Sequence, residues 1–416
     1  MTASQPSLKA AIFNRRMLTC VFTGMASGLP LYVLIQLVPL WLREEGVGLK
    51  EIGFFTLVTF PYTWKFIWAP LLDRYSLLPM GRRRSWLLVT QLGLMASIAA
   101  LGYWQPVTDI KLIAAVCFLV AVLSATQDIA IDAFRREILP DEELGMGTSI
   151  HVQAYRISGL LPGGLSFILA DHISWQQVFW VTGAYMVIGL LMTLFVKEAV
   201  SDAVRPKTLQ EAVVNPFKDF VGRHGKTGAL LVLSFMCLYK FGDNLAVALS
   251  TPFYYDLGFT KTQVGLVAKN AGLWSSIVGA LLGGIIMIRI GINKALWVFG
   301  VVQLVSILGF AVLAYVGANV WVLAGAIILE YLGVGLGTAA FSAYMARITN
   351  PLFAATQFAL LSALASFPRT IASSLSGILV EHFGWVQFFI MCSLTAIPGM
   401  LLLFKVAPWR QQEEAE

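Results

Sequence analysis

The sequence predicts an all-α membrane protein whose twelve transmembrane helices form two six-helix halves. Three observations carry that reading. Apolar runs of spanning length recur along almost the whole chain, Lys and Arg gather in alternate connections, and the second half echoes the first. Hydrophobic residues make up 58% of the 416 and charged ones 12%, with a mean hydropathy of +0.76. A soluble protein carries about a quarter charged residues. The formal charge of +6 does not point to nucleic acid, because the bases sit in short connections between apolar runs.

A helix crosses the hydrocarbon layer in about 20 residues. On that length, spans fall near 17–42, 53–72, 85–104, 111–133, 148–170 and 175–196. After a polar segment at 197–226, six more fall near 227–255, 262–288, 293–317, 321–346, 352–379 and 384–406. The predicted division is a first half at 1–196, a cytoplasmic linker at 197–226 and a second half at 227–416 with a short cytoplasmic tail. One set of connections holds Lys9, Arg15, Arg16, Arg74, Arg82, Arg83, Arg84, Arg135, Arg136, the bases of the linker, Arg289, Lys294, Arg347, Lys405 and Arg410. The alternate set holds only Arg43, Lys50, Lys111 and Lys261, which puts both termini in the cytoplasm. No small-residue cleavage site follows Lys9, Arg15 and Arg16, so the first apolar run reads as an uncleaved span. Cys20, Cys117, Cys237 and Cys392 lie in apolar runs without pairing or metal spacing. No metal and no cofactor is expected.

Three pairs of segments repeat at nearly one offset. The run from Pro39 to Gly53 matches that from Pro252 to Gly265, His172-Ile-Ser-Trp175 matches His382-Phe-Gly-Trp385, and Arg136 to Pro140 matches Arg347 to Pro351. Two six-helix halves in parallel, joined by a linker, is the layout of the major facilitator transporters.

Asp73-Arg74 closes the second span, and Gly81-Arg82-Arg83-Arg84 opens the third. An Asp at that helix end can pair with basic groups and with a neighbouring helix N-terminus, which would make a gate that latches one access state. The same residues could instead be only topogenic charge. The matching connection of the second half, around Arg289 and Lys294, has no Asp.

Charges inside the spans need a task, because each costs several kcal/mol or more in hydrocarbon. The acids are Asp128, Asp132, Asp243 and Glu330; the bases are Lys65, Arg156, Lys240, Lys269 and Arg369. Asp128 and Asp132, four apart, share one helix face, and Lys240 and Asp243, three apart, can pair on one helix. The four acids are candidate proton-coupling groups, with Asp128 first; structural ion pairing is the alternative, and for Glu330 beside Gly333 and Gly337 it is packing or gating. The surplus of bases suits an anionic substrate. Tyr32, Gln36, Gln127, Tyr155, Tyr239, Asn270 and Gln357 add hydroxyls, amides and aromatic faces for a sugar- or peptide-sized ligand. Gly24, Gly28 and Gly163 are read as close-packing positions, and His151 as a residue near a helix start.

There is no phosphate-cradling Gly-Lys-Ser/Thr loop and no nucleophile–base arrangement, so neither an ATP-driven pump nor an enzyme is expected. Transport would draw on a gradient.

From near Gly24 to near Lys405 the chain resembles the AmpG-type muropeptide permeases. The resemblance rests on Ala26-Ser-Gly-Leu-Pro30, Lys65-Phe-Ile-Trp-Ala-Pro70, Asp73-Arg-Tyr75, Gly81-Arg-Arg-Arg84, Gln127-Asp-Ile-Ala-Ile-Asp-Ala133, Tyr239-Lys-Phe-Gly-Asp243 and Ala355-Thr-Gln-Phe-Ala-Leu-Leu-Ser-Ala363. It implies proton-driven import of anionic anhydro-muropeptides across a bacterial inner membrane for peptidoglycan recycling, with an indirect effect on β-lactamase induction. Some members carry further apolar helices where this chain has an acidic tail, and related importers of the same fold carry siderophores or other organic anions. A monomer in the lipid bilayer is expected.

Overall fold

The computed structural model describes residues 14–48, 55–197, 208–260 and 263–409, and at 56, 209, 210, 248, 251, 255, 265, 266, 269, 367–375 and 378 it describes the backbone alone. Among the described residues every regular element is helical. Hydrocarbon offers backbone groups no partners, and a helix satisfies them internally.

The first six passages are α1 (Arg15–Glu44), α2 (four short pieces from Thr56 to Arg74), α3 (Arg82–Leu101), α4 (Ile110–Ile138), α5 (Asp141–Ser158, continued to Ala170) and α6 (Trp175–Phe195). The linker contains a helix, α7, at 209–224. Then come α8 at 226–256, α9 at 264–290, α10 at 292–316, α11 at Val320–Ile348, α12 at 351–383 and α13 at 385–406. Gly291 (φ 74°) separates α9 from α10, and Gly384 (φ 74°) separates α12 from α13. Both turns need a positive φ that a side chain would strain. Apart from α7, the described helices make twelve passages. Among the described residues, eight stretches, from Arg15–Glu44 to Leu379–Val406, are long and apolar enough to cross a membrane.

Two boundaries differ from the expected ones. The helix α4 runs on to Ile138 and α5 begins at Asp141, so His151 lies well inside a helix and not near its start. Its ring nitrogen contacts the Thr23 hydroxyl at 3.2 Å, and it is buried. Among the described residues three π-helical turns, Val33–Leu37 in α1, Leu161–Leu165 in α5 and Val264–Lys269 in α9, interrupt the regular repeat. The first two lie beside Pro30 and at Pro162, whose missing N–H groups loosen the ladder.

The chain forms two compact units. The first takes the described parts of Met1–Pro140, Ile150–Phe217 and Thr349–Ala363. Its main core gathers Val33, Leu37, Trp41, Leu94, Ile98, Ile113, Val120 and Phe179 from α1, α3, α4 and α6. A smaller cluster joins Ala69 and Leu72 of α2, Ile129 and Ala133 of α4, and Ala354, Ala355 and Ala359 of α12. An alanine Cβ at Gly24 or Gly28 of α1 would collide with the backbone carbonyl of His151 or Tyr155 in α5, so these glycines set the α1–α5 approach. The second unit takes Asp141–Ser149, Lys218–Ile348 and the described part of Leu364–Glu416. Its core is aromatic, with Phe253, Phe310, Phe388 and Phe389 packed around Ile307, Leu323 and Ile327.

Large apolar side chains also point outward. Phe195 is 83% exposed, Tyr315 84% and Trp321 86%. Such outward apolar faces fit lipid and not water.

Candidate functional site

In the first unit the two acids of α4 sit where α1 and α2 converge. Asp128 accepts from the Ser27 hydroxyl of α1 at 2.5 Å. One turn on, Asp132 accepts from Arg135 at 3.0 Å and lies 3.8 Å from the Lys65 ammonium of α2. Lys65 is buried because α2 breaks there: Lys65–Ile67 is a short 3-10 turn between two α-helical pieces. That break also brings the Trp68 indole to donate to Thr126 of α4 at 3.0 Å. Gln127 donates to the Ala26 carbonyl of α1 at 2.7 Å, and its own carbonyl oxygen is buried without a partner among the described residues. The Gln36 carbonyl oxygen is likewise buried without a hydrogen-bond partner among the described residues. Tyr32 and Tyr155 place their rings 5.8 Å apart, and Arg156 lies within electrostatic reach of Tyr32. Here Asp128, Asp132, Lys65, Gln127, Tyr32, Tyr155 and Arg156 all belong to one set of converging helices.

The predicted gate residues form a second, denser cluster in the same unit. Asp73 is fully buried. Its carboxylate accepts from Arg83 at 2.8 Å, from the backbone N–H groups of Ala355 and Thr356 at 3.2 and 2.8 Å, and from the Thr356 hydroxyl at 2.7 Å. These amides belong to the first α-helical turn of α12, which begins at Ala354 after the 3-10 turn Pro351–Phe353, and there orphan N–H groups and the helix dipole favour an anion. Arg83 also reaches Glu137 at 2.7 Å, and Arg82 reaches Glu137 at 3.1 Å and the Asp73 carbonyl at 2.7 Å. Two guanidiniums therefore face two carboxylates. Arg84 is directed elsewhere, to the carbonyls of Thr193 and Leu194 that end α6, at 2.9 and 2.8 Å. Arg74 lies over the Tyr75 ring, 4.9 Å from its centroid.

The second unit holds another buried group of charges. Lys240 precedes the α-helical piece Phe241–Ala248, and its ammonium is 2.6 Å from Asp243. Glu330 of α11 has no exposed surface and accepts from Ser306 of α10 at 2.7 Å. It interacts with both Asp243 and Lys240.

Other predicted ligand residues are engaged elsewhere or open. The Tyr239 hydroxyl donates to the Leu296 carbonyl at 2.9 Å, and its ring stacks on Phe341 at 5.7 Å. Gln357 donates to the Pro216 carbonyl at 2.9 Å and accepts from the Asn350 N–H at 2.8 Å, so it ties α12 to the linker helix. Asn270 is exposed. The side chains of Lys269 and Arg369 lie outside the described residues.

The sequence reading missed Ser27, Glu137, Thr356 and Ser306, partners that are far from their acids or bases in the chain, and the hydrogen bond between Trp68 and Thr126. Arg135 carried a usable signal: it stands three residues after Asp132 on an unbroken helix.

The Major Facilitator Superfamily profile matches residues 20–241 and again 231–415. A Haemophilus influenzae protein of uncharacterized role is 48% identical over 98% of each chain. The anhydromuropeptide permease of Escherichia coli K12 is 42% identical over 91% of this chain and 77% of its own. Among solved structures, the transporter FucP in its outward conformation superposes with a TM-score of 0.69 at 12% identity, covering 97% of this chain and 100% of that one.

Proposed function

The chain belongs to the major facilitator superfamily and is a multi-pass membrane transporter, and we propose that it imports anhydro-muropeptides from periplasm to cytoplasm in symport with protons. The observation that carries the substrate is the 42% identity to the E. coli permease along 91% of the chain. The buried charges fit such a cargo, because Lys65, Arg156 and Lys240 can answer peptide carboxylates while tyrosines and amides answer sugar hydroxyls. The membrane is the bacterial inner membrane, with both termini cytoplasmic by the charge of the connections. Residues 1–196 and 227–416 act as the two halves of an alternating-access machine joined by 197–226. Import of this cargo would serve peptidoglycan recycling and, through cytoplasmic muropeptide levels, influence β-lactamase induction.

Asp128 is the first proton-coupling group in this reading. It is held by a hydroxyl and not by a base, while its neighbour Asp132 is matched by Lys65 and Arg135. A carboxyl that gains and loses a proton without breaking an ion pair is suited to coupling. The Asp73 cluster acts as the gate: the carboxylate on the first turn of α12 must leave those amides for the gate to open.

Competition decides the substrate. Purified protein in proteoliposomes takes up radiolabelled anhydro-muropeptide, and unlabelled anhydro-muropeptide suppresses that signal while a ferric siderophore and simple organic anions do not. Suppression by the siderophore alone would reassign the cargo.

A further inference from the structure

The second unit contains a pairing that neither residue's charge explains. Asp243 and Glu330 are both carboxylic acids, and both are buried, at 6% and 0% exposure. Each uses one oxygen conventionally: Asp243 holds Lys240 at 2.6 Å, and Glu330 accepts from Ser306 at 2.7 Å. The other oxygen of each, Asp243 Oδ1 and Glu330 Oε1, is buried with no hydrogen-bond donor among the described residues. Yet the two side chains are within hydrogen-bonding reach of one another.

Two ionised carboxylates are acceptors only, so no arrangement of their atoms makes this a bond. Like charges buried side by side are strongly disfavoured, and the usual resolution is a single proton between them. Charge balance leads to the same place. Lys240 carries one positive charge against two acids, so one proton leaves the trio neutral, whereas none leaves an uncompensated buried charge. Among the described residues, the other titratable groups within electrostatic reach are Tyr254 of α8 and Cys392 of α13 toward Glu330, and Tyr239 toward Asp243. None brings a second positive charge.

We propose that Asp243 and Glu330 share one proton in an O–H···O bond, so that the second unit carries its own proton-binding site, separate from Asp128. Glu330 is the donor in the resting arrangement, because Asp243 is the acid already matched to Lys240. The bond joins α8 to α11, so its proton is released only when those helices part or when Lys240 turns to another anion. The proposal rests on the proton-coupled reading above, which gives the site its use.

The test is infrared difference spectroscopy of the full-length protein in lipid, with deuterium exchange to identify protonated-carboxyl C=O stretches. At a pH where exposed carboxyls are ionised, the wild type shows such a band from the shared proton. Glu330→Gln, whose amide N–H can donate to Asp243 in place of the proton, removes the band. Asp243→Asn removes the band as well, because Lys240 then faces Glu330 alone and charge balance leaves that acid ionised. Asp128→Asn leaves this band unmoved. A band unchanged in Glu330→Gln or in Asp243→Asn overturns the shared proton. Unaltered insertion and melting of each variant exclude unfolding as the cause. Should the wild type show the band while its uptake ignores an imposed pH gradient, the proton is confirmed as resident, and the coupling reading is the one that falls.

Discussion

Replacing Asp73 by Asn tests the gate with almost no change in volume. The wild-type carboxylate takes four donors, from Arg83, the Ala355 and Thr356 amides and the Thr356 hydroxyl. An Asn side chain keeps one acceptor oxygen and turns an NH2 toward groups that are themselves donors. At least two of the four bonds are then lost, each worth about 1.5–3 kcal/mol to a charged acceptor. Arg83 keeps Glu137 at 2.7 Å, which softens the loss of its partner. The net expectation is about 3 kcal/mol, roughly a hundredfold in the equilibrium between the held and released first turn of α12. Amide hydrogen exchange in lipid nanodiscs reads this directly. Protection at Ala355 and Thr356 falls roughly a hundredfold in the variant, while protection in α4 and α10 stays as in the wild type. Protection at these two amides that matches the wild type would refute the argument, since the carboxylate would then not be what holds the helix end.

Three further outcomes follow from the same contacts. Asp128→Asn inserts normally but loses concentrative uptake, measured as substrate accumulation above the external level; retained accumulation removes Asp128 from the mechanism. Gly28→Ala places a Cβ into the Tyr155 carbonyl and the Ser158 hydroxyl of α5, and overpacking of this kind costs about 1–3 kcal/mol, read as a lower melting temperature in detergent. Glu137→Gln leaves Arg82 and Arg83 facing a single carboxylate, that of Asp73, and breaking a buried pair costs roughly 3–5 kcal/mol; a melting temperature within error of wild type would show that Asp73 alone suffices.

What the sequence disclosed and what it withheld follow from distance along the chain. The period of the apolar runs and the one-offset repeats place the helices, because both depend on neighbours within a turn or two. The α4 acids could be put on one face from their four-residue spacing, and Lys240 with Asp243 from their three. Asp73 could be marked as a helix-end acid, but its docking on Thr356, 283 residues away, depends on packing that no local pattern encodes. The same holds for Ser27 at Asp128, 101 residues apart, and for Lys65 at Asp132, which needs the 3-10 break in α2. Tyr239 and Gln357 illustrate the opposite hazard. Both read as ligand groups because they are polar within apolar spans, and both turn their polar atoms to backbone groups, as buried polar groups usually do. The π-helical turn at Val264–Lys269 had no clear local signature, since it keeps the apolar composition of the surrounding helix, whereas the start of α5 carried one in Pro140 followed by Asp141, Glu142 and Glu143 in the first turn.

The measurement that bears most directly on the account is radiolabelled anhydro-muropeptide uptake into proteoliposomes with and without an inward-directed proton gradient. Accumulation above the external concentration when the outside is acidic, collapsing on addition of a protonophore, is the predicted result. Uptake that only equilibrates, at the same rate with or without the gradient, would contradict it.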